Sequence, residues 1–152
     1  NLDWPFQKER IRDFVTKWAA LLVMDATGVG DPVYDDLSRD VSMRCILPIR
    51  FTPKTKTALV HGLMVAIEQK KVRWPKGWEI LTAELKRYEY SMTAYGNVQY
   101  SAPSGYHDDC VMALALAVYG MEHGGRLGFP SRLAVGGGFR GRAGRSKVLT
   151  LA

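Results

Sequence analysis

Apolar positions along this chain fall into alternating helical and extended stretches. Asp3 precedes Trp4-Pro5, a helix start with proline in the first turn, and Ile11, Phe14, Val15 and Trp18 recur on one face at helical spacing. Ala20 to Met24 is an unbroken apolar run that predicts a buried strand ending at Asp25. Gly28 and Gly30 mark a tight turn, Asp31-Pro32 opens a short helix to about Leu37, and Val41 to Leu47 reads as a second strand. Thr52-Pro53 starts a helix whose stripe is Leu59, Leu63, Ala66 and Ile67, ending near Lys70. Beyond the Pro75-Lys76-Gly77 turn, Trp78, Leu81, Leu85 and Tyr88 predict another short helix. Two stretches, 88–93 and 97–101, form a hairpin pattern around Tyr95-Gly96. Pro103-Ser104-Gly105 then breaks the chain before a final, largely apolar helix. This order implies an α/β domain with a parallel strand pair and right-handed crossovers.

Composition narrows the class. A chain of 152 residues, 47% hydrophobic and with four tryptophans, is about one globular domain with a real core. No apolar stretch approaches the roughly 18 residues of a membrane span, and the N-terminus has no basic-then-apolar signal pattern. The missing initiator Met leads us to expect a piece of a longer protein. Cys45 and Cys110 lack any CxxC or nearby histidine partner, so they read as small buried hydrophobes in a reducing compartment. Charge is uneven: residues 1–123 carry 15 Lys+Arg and 15 Asp+Glu, so the net +6 resides entirely in 124–152. That stretch is rich in glycine and arginine, which predicts a flexible basic tail after a domain over 1–123. It is either a solvated tail or an arm for polyanions or an acidic partner.

Two acidic sites carry the candidate chemistry. Asp25 closes the first strand, and His107-Asp108-Asp109 opens the final helix. Charges beside so much apolar sequence are costly unless they are paired or bind a cation. Carboxylates converging from separate elements suit Mg²⁺ or Mn²⁺. His107 is a candidate metal ligand or proton shuttle, or simply a residue that orders the helix start. Lys54 and Lys56 are a solvated face or contacts to DNA phosphates. Tyr88, Tyr90, Tyr95, Tyr100 and Tyr106 are sheet packing, with one or two available to stack on bases. Gly28-Val29-Gly30 lacks the third small residue of a dinucleotide fingerprint, and no GxxxxGK[ST] occurs, which excludes a P-loop enzyme in this chain.

The ordered series resembles the nuclease domain of the large subunit of tailed-phage terminases. The matching stretches are Val23-Met24-Asp25-Ala26-Thr27-Gly28-Val29-Gly30, Pro48-Ile49-Arg50-Phe51-Thr52 with Lys56, Val72-Arg73-Trp74-Pro75, Glu84-Leu85, and Tyr100-Ser101-Ala102-Pro103 leading to His107-Asp108-Asp109. The resemblance covers roughly 5–122 and implies an RNase H-like mixed sheet flanked by helices. It also implies a Mg²⁺- or Mn²⁺-dependent endonuclease that cuts double-stranded phage DNA during genome packaging. Asp25 takes the family's second acidic position and Asp108-Asp109 the last. The strand bearing the first acidic residue normally precedes the first helix, so the expected fold is N-terminally truncated and the fragment weakly active or inactive.

The two-metal chemistry implied by the resemblance needs carboxylates facing both ions. Adjacent helical residues point about 100° apart, so Asp109 is favoured as direct ligand. Asp108, with His107, takes a second-metal or water-orienting role, and Asp25 faces them across the sheet rim. Lys54, Lys56, Arg140, Arg142, Arg145 and Lys147 are the candidate DNA contacts. The implied partners are double-stranded DNA and the terminase ATPase domain of the same full-length chain, with the small terminase subunit and the portal as further candidates. No membrane is involved, and the implied location is the cytoplasm of the bacterial host. The rival reading is a non-catalytic module of the same fold that binds DNA or a packaging partner.

Overall fold

In the computed structural model the described residues are 3–28, 30–40, 45–92, 98–124 and 148–151. The chain divides into two units, one formed by 1–50 with 120–151 and the other by 51–119.

In the first unit, helix α1 (Trp4–Trp18) starts where the sequence predicts, with the Asp3 side chain accepting from the Trp4 amide. Its buried face is Ile11 and Val15. Phe14, expected on that face, is instead substantially exposed and sits 6.2 Å from the Trp18 ring. Ala19 adopts φ 46°, a left-handed stop that turns the chain at once into strand β1 (Leu21–Asp25). Leu21 to Met24 are all buried. An apolar run buried on every residue is the pattern of a parallel strand covered on both faces. Helix α2 (Gly30–Ser38) follows, and strand β2 (Ile46–Ile49) pairs parallel with β1, bringing Asp25 opposite Ile49. The second strand was expected from Val41; its start lies outside the described residues. Among the described residues β2 is at the end of the strand order β2-β1-β5, a position that tolerates Pro48.

Strand β5 (Val148–Leu151) pairs parallel with the other side of β1. These residues lie within the stretch expected to be a flexible tail. The Val-Leu-Thr-Leu sequence has strand propensity and follows the last basic residue, so these four residues add a strand to the sheet instead. Leu22, Met24 and Leu37 join Ile11 and Val15 in one core cluster, with Trp4, Val33, Tyr34 and Ile46 packed against it. The Trp4 indole and Lys8 both reach the Asp36 carboxylate, at 3.0 and 2.8 Å, which ties α1 to α2.

In the second unit, α3 (Pro53–Glu68) begins with a reciprocal Thr52–Thr55 capping box. It buries Leu59, Val60, Leu63 and Ala66. Helix α4 (Glu79–Arg87) buries Leu81, but Trp78 is exposed: it ends the turn before the helix rather than joining its apolar face. Strands β3 (Glu89–Met92) and β4 (Val98–Ser101) form the expected antiparallel hairpin, whose turn lies outside the described residues. Helix α5 (Asp109–His123) buries Val111, Met112, Ala115, Leu116 and Val118. Cys45 and Cys110 are half-buried rather than buried as expected, and no disulfide joins them. Among the described residues no helix is long and apolar enough to cross a membrane.

Candidate active site

Asp25 ends β1 because the strand stops being apolar there, and the chain turns through Gly28 at φ 59°, a conformation that favours glycine. The Asp25 Oδ1 atom accepts from the Thr27 amide at 2.9 Å and from the Thr27 hydroxyl at 2.5 Å. The Ala26 amide donates to the Ile49 carbonyl, so β2 holds the backbone beside it. The carboxylate is therefore oriented, half-buried and at the C-terminal rim of a parallel strand. That rim is where α/β sheets place their ligands.

In the second unit the acidic pair divides its labour. The Asp108 carbonyl accepts the Met112 amide, which makes Asp108 the residue that caps α5. An aspartate there normally spends its side chain on the second and third amides of the helix. Glu84 does so instead: its Oε2 accepts from Cys110 at 2.9 Å and from Val111 at 3.2 Å. The Asp108 carboxylate is thereby released to meet Lys56, whose Nζ lies 2.8 Å from Oδ2. The Tyr88 hydroxyl, 3.5 Å from the Met112 sulfur, lies beside Asp108 as well. Burial, and secondarily the Asp108 charge, push the Tyr88 phenol well above its ordinary range. Burial, then Glu84, likewise push the Cys110 thiol up.

Asp109 behaves differently. Its side chain is 72% exposed, and the Nδ1 atom of His107, itself exposed, lies 3.9 Å from its Oδ2. That distance is too long for a hydrogen bond. Asp109 is thus the carboxylate of the pair with an accessible oxygen face, whereas Asp108 is committed to Lys56. Lys56, expected as a phosphate contact, is turned toward Asp108, while Lys54 is exposed at the start of α3. Arg140, Arg142, Arg145 and Lys147 lie outside the described residues. His61 on α3 meets the Tyr100 hydroxyl at 2.8 Å, and Tyr88 stacks on Tyr100 with centroids 6.4 Å apart. These tyrosines are packing residues of the hairpin, whereas Tyr90 and Tyr106 are exposed.

Carboxylate oxygens are the donors that Mg²⁺ and Mn²⁺ prefer, so the chemistry of Asp25, Asp108 and Asp109 fits a hard divalent cation. Among the described residues no three His, Cys, Asp or Glu side chains gather as a ready-made metal cage. Glu84 belongs to the resemblance but has no role assigned from sequence, and Tyr88 reads there as sheet packing or a base-stacking candidate rather than as a neighbour of Asp108. The available signal was position: Glu84 falls between Leu81 and Tyr88 at helical spacing, a carboxylate on an otherwise apolar face.

The family model of the terminase RNaseH-like domain matches residues 1–120. The chain belongs to this family. The large terminase subunit of Thermus phage G20c is 32% identical over 132 residues, covering 86% of this chain and 26% of that protein. This terminase chain therefore spans about a quarter of the length of the curated relative. Crystal structures of the large terminase nuclease from thermophilic phage G20c, one with bound magnesium and one with bound cobalt, each align at TM-score 0.67 and 29% identity. Each alignment covers 78% of this chain and 62% of the other. The fold is the RNase H-like fold of terminase nucleases, and the chain is homologous to the nuclease domains of terminase large subunits.

Proposed function

We propose that this terminase domain is a divalent-metal-dependent endonuclease acting on double-stranded phage DNA during genome packaging, in the cytoplasm of a bacterial host. The observation that carries the reading is the placement of carboxylates at two element ends: Asp25 fixed by Thr27 at a strand rim, and Asp109 exposed on the first turn of α5, whose capping amides are taken by Glu84. Homologous nucleases hold magnesium or cobalt, which supports a metal role for carboxylates of this kind. Asp25, Asp108 and Asp109 would hold Mg²⁺ or Mn²⁺, two ions in the complete site. Bound metal supplies an activated water and charge stabilisation at the leaving oxygen. Asp109 offers the accessible carboxylate and Lys56 orients Asp108, which with His107 would take a second-metal or water-orienting role.

Lys54 and the basic residues Arg140, Arg142, Arg145 and Lys147 would hold phosphates without reading sequence. The ATPase domain of a full-length large subunit, the small terminase subunit and the portal are the proposed protein partners. Plasmid cleavage by the full-length protein with Mg²⁺ or Mn²⁺ tests the reading. Asp25→Asn and Asp109→Asn should each reduce the rate by at least 100-fold, as expected when electrostatic stabilisation is lost. Wild-type rates in both variants would refute the assignment.

A further inference from the structure

Six exposed cations, Lys70, Lys71, Arg73, Lys76, Lys86 and Arg87, lie between the end of α3 and the end of α4. Only Glu79 and Glu84 oppose them in that stretch, and Glu84 is occupied by the amides of α5. Three of the cations converge: Lys76, Lys86 and Arg87 line one open depression along α4, together with Glu79, Thr82 and Ala83. Among the described residues none of these three cations is ion-paired.

Their arrangement is built rather than incidental. The Trp74 indole donates to the Thr82 hydroxyl at 3.1 Å, and that hydroxyl donates to the Trp78 carbonyl at 2.9 Å. These bonds staple the turn carrying Lys76 onto α4. Lys86 and Arg87 in the last helical turn complement the helix dipole, but Lys76 stands before the first turn, where a cation is disfavoured. Helix polarity therefore does not explain the row. Helix α4 itself, between the turn that carries Lys76 and Arg87 at its end, rises about 12 Å. At its far end the Arg87 guanidinium lies 4.9 Å from the centre of the exposed Tyr106 ring. Tyr106 immediately precedes His107-Asp108-Asp109.

We propose that Lys76, Lys86 and Arg87 form a track for the sugar-phosphate backbone of duplex DNA, with Tyr106 guiding the strand toward the acidic loop. The proposal rests on the reading of this chain as a DNA-cleaving domain and adds where the duplex is held. A phosphate backbone matches the track because it presents closely spaced negative charge without requiring a sequence-specific contact.

The test is fluorescence anisotropy with a labelled duplex in EDTA, where binding is read without cleavage. A Lys76→Gln/Lys86→Gln/Arg87→Gln protein is compared with wild type and with Arg10→Gln/Lys17→Gln, which neutralises exposed cations on α1. Each lost phosphate contact should weaken affinity roughly tenfold at 0.1 M salt and flatten the log–log salt slope by about 0.9. With three contacts removed, the α4 variant should lose affinity on the order of a thousandfold, while the α1 variant changes less than about threefold, with thermal unfolding unchanged in both. Equal losses in the two variants, or wild-type affinity in the α4 variant, would overturn the track. Cleavage by Asp109→Asn separates the two readings: its persistence would defeat the metal assignment while leaving the binding result to stand or fall alone.

Discussion

Replacing Glu84 with alanine is the perturbation that most clearly separates helix capping from metal chemistry. The substitution removes the oxygen that accepts from Cys110 at 2.9 Å and Val111 at 3.2 Å. A hydrogen bond to a charged group contributes about 1.5–3 kcal/mol. Glu84 is half-buried, so water recovers part of each bond and the lower end applies. Loss of a carboxylate at a helix N-terminus adds roughly 0.3–1 kcal/mol. The expected total is about 3–4 kcal/mol, a fall in melting temperature of roughly 6–16 °C for a chain of this size. Glu84→Gln keeps an acceptor oxygen and should cost about half as much. Urea and thermal unfolding measure the loss, and hydrogen exchange at the 110 and 111 amides locates it. The first turn of α5 carries Asp109, so its fraying should also slow metal-dependent cleavage. A melting point within 1 °C of wild type, with unchanged exchange at both amides, would refute the capping argument.

Tyr88 holds its proton in the folded state above the ordinary phenol value of 10.0. The unfolded chain loses that proton first, so stability should fall as pH rises above about 10. Tyr88→Phe should flatten that decline in urea midpoints between pH 8 and 11. Asp36 is held below its ordinary value of 3.8, first by the Lys8 hydrogen bond and then by Trp4. Its contribution is present above that value and is lost as pH falls below it, so Asp36→Asn should reduce the acid sensitivity of unfolding monitored by tryptophan fluorescence. Leu22→Ala should destabilise by about 2–5 kcal/mol in denaturant unfolding, because its fully buried side chain leaves a cavity in the sheet core.

What was legible in the sequence was what period and caps encode. The first helix, β1 with its terminal aspartate, the Thr52 cap, the hairpin and the apolar helix α5 all follow from local pattern, and each forms. What was not legible depends on contacts distant in sequence. Phe14 shares the helical spacing of Ile11 and Val15 but lies at the margin of the stripe, where nothing covers it enough to bury it. Val148–Leu151 follows a glycine- and arginine-rich stretch, and composition there masked four residues that pair with a strand more than 120 positions earlier. At the acidic loop, spacing distinguished Asp108 from Asp109 but not the reason for the difference. That reason is tertiary: Glu84 takes over the cap, and Lys56, 52 positions away, claims Asp108. Family resemblance named the right family without these contacts, because it reads motifs in order rather than the forces that join them.

The central claim is that Asp25 and Asp109 are metal ligands, and Mn²⁺ binding seen directly by anomalous diffraction tests it most closely. Crystals of the full-length protein soaked in Mn²⁺ should show anomalous peaks about 2.1–2.2 Å from carboxylate oxygens of Asp25 and of Asp109. Asp109→Asn crystals should lose the peak beside residue 109. Well-ordered crystals with no Mn²⁺ at either carboxylate, or with metal bound only elsewhere, would contradict the account.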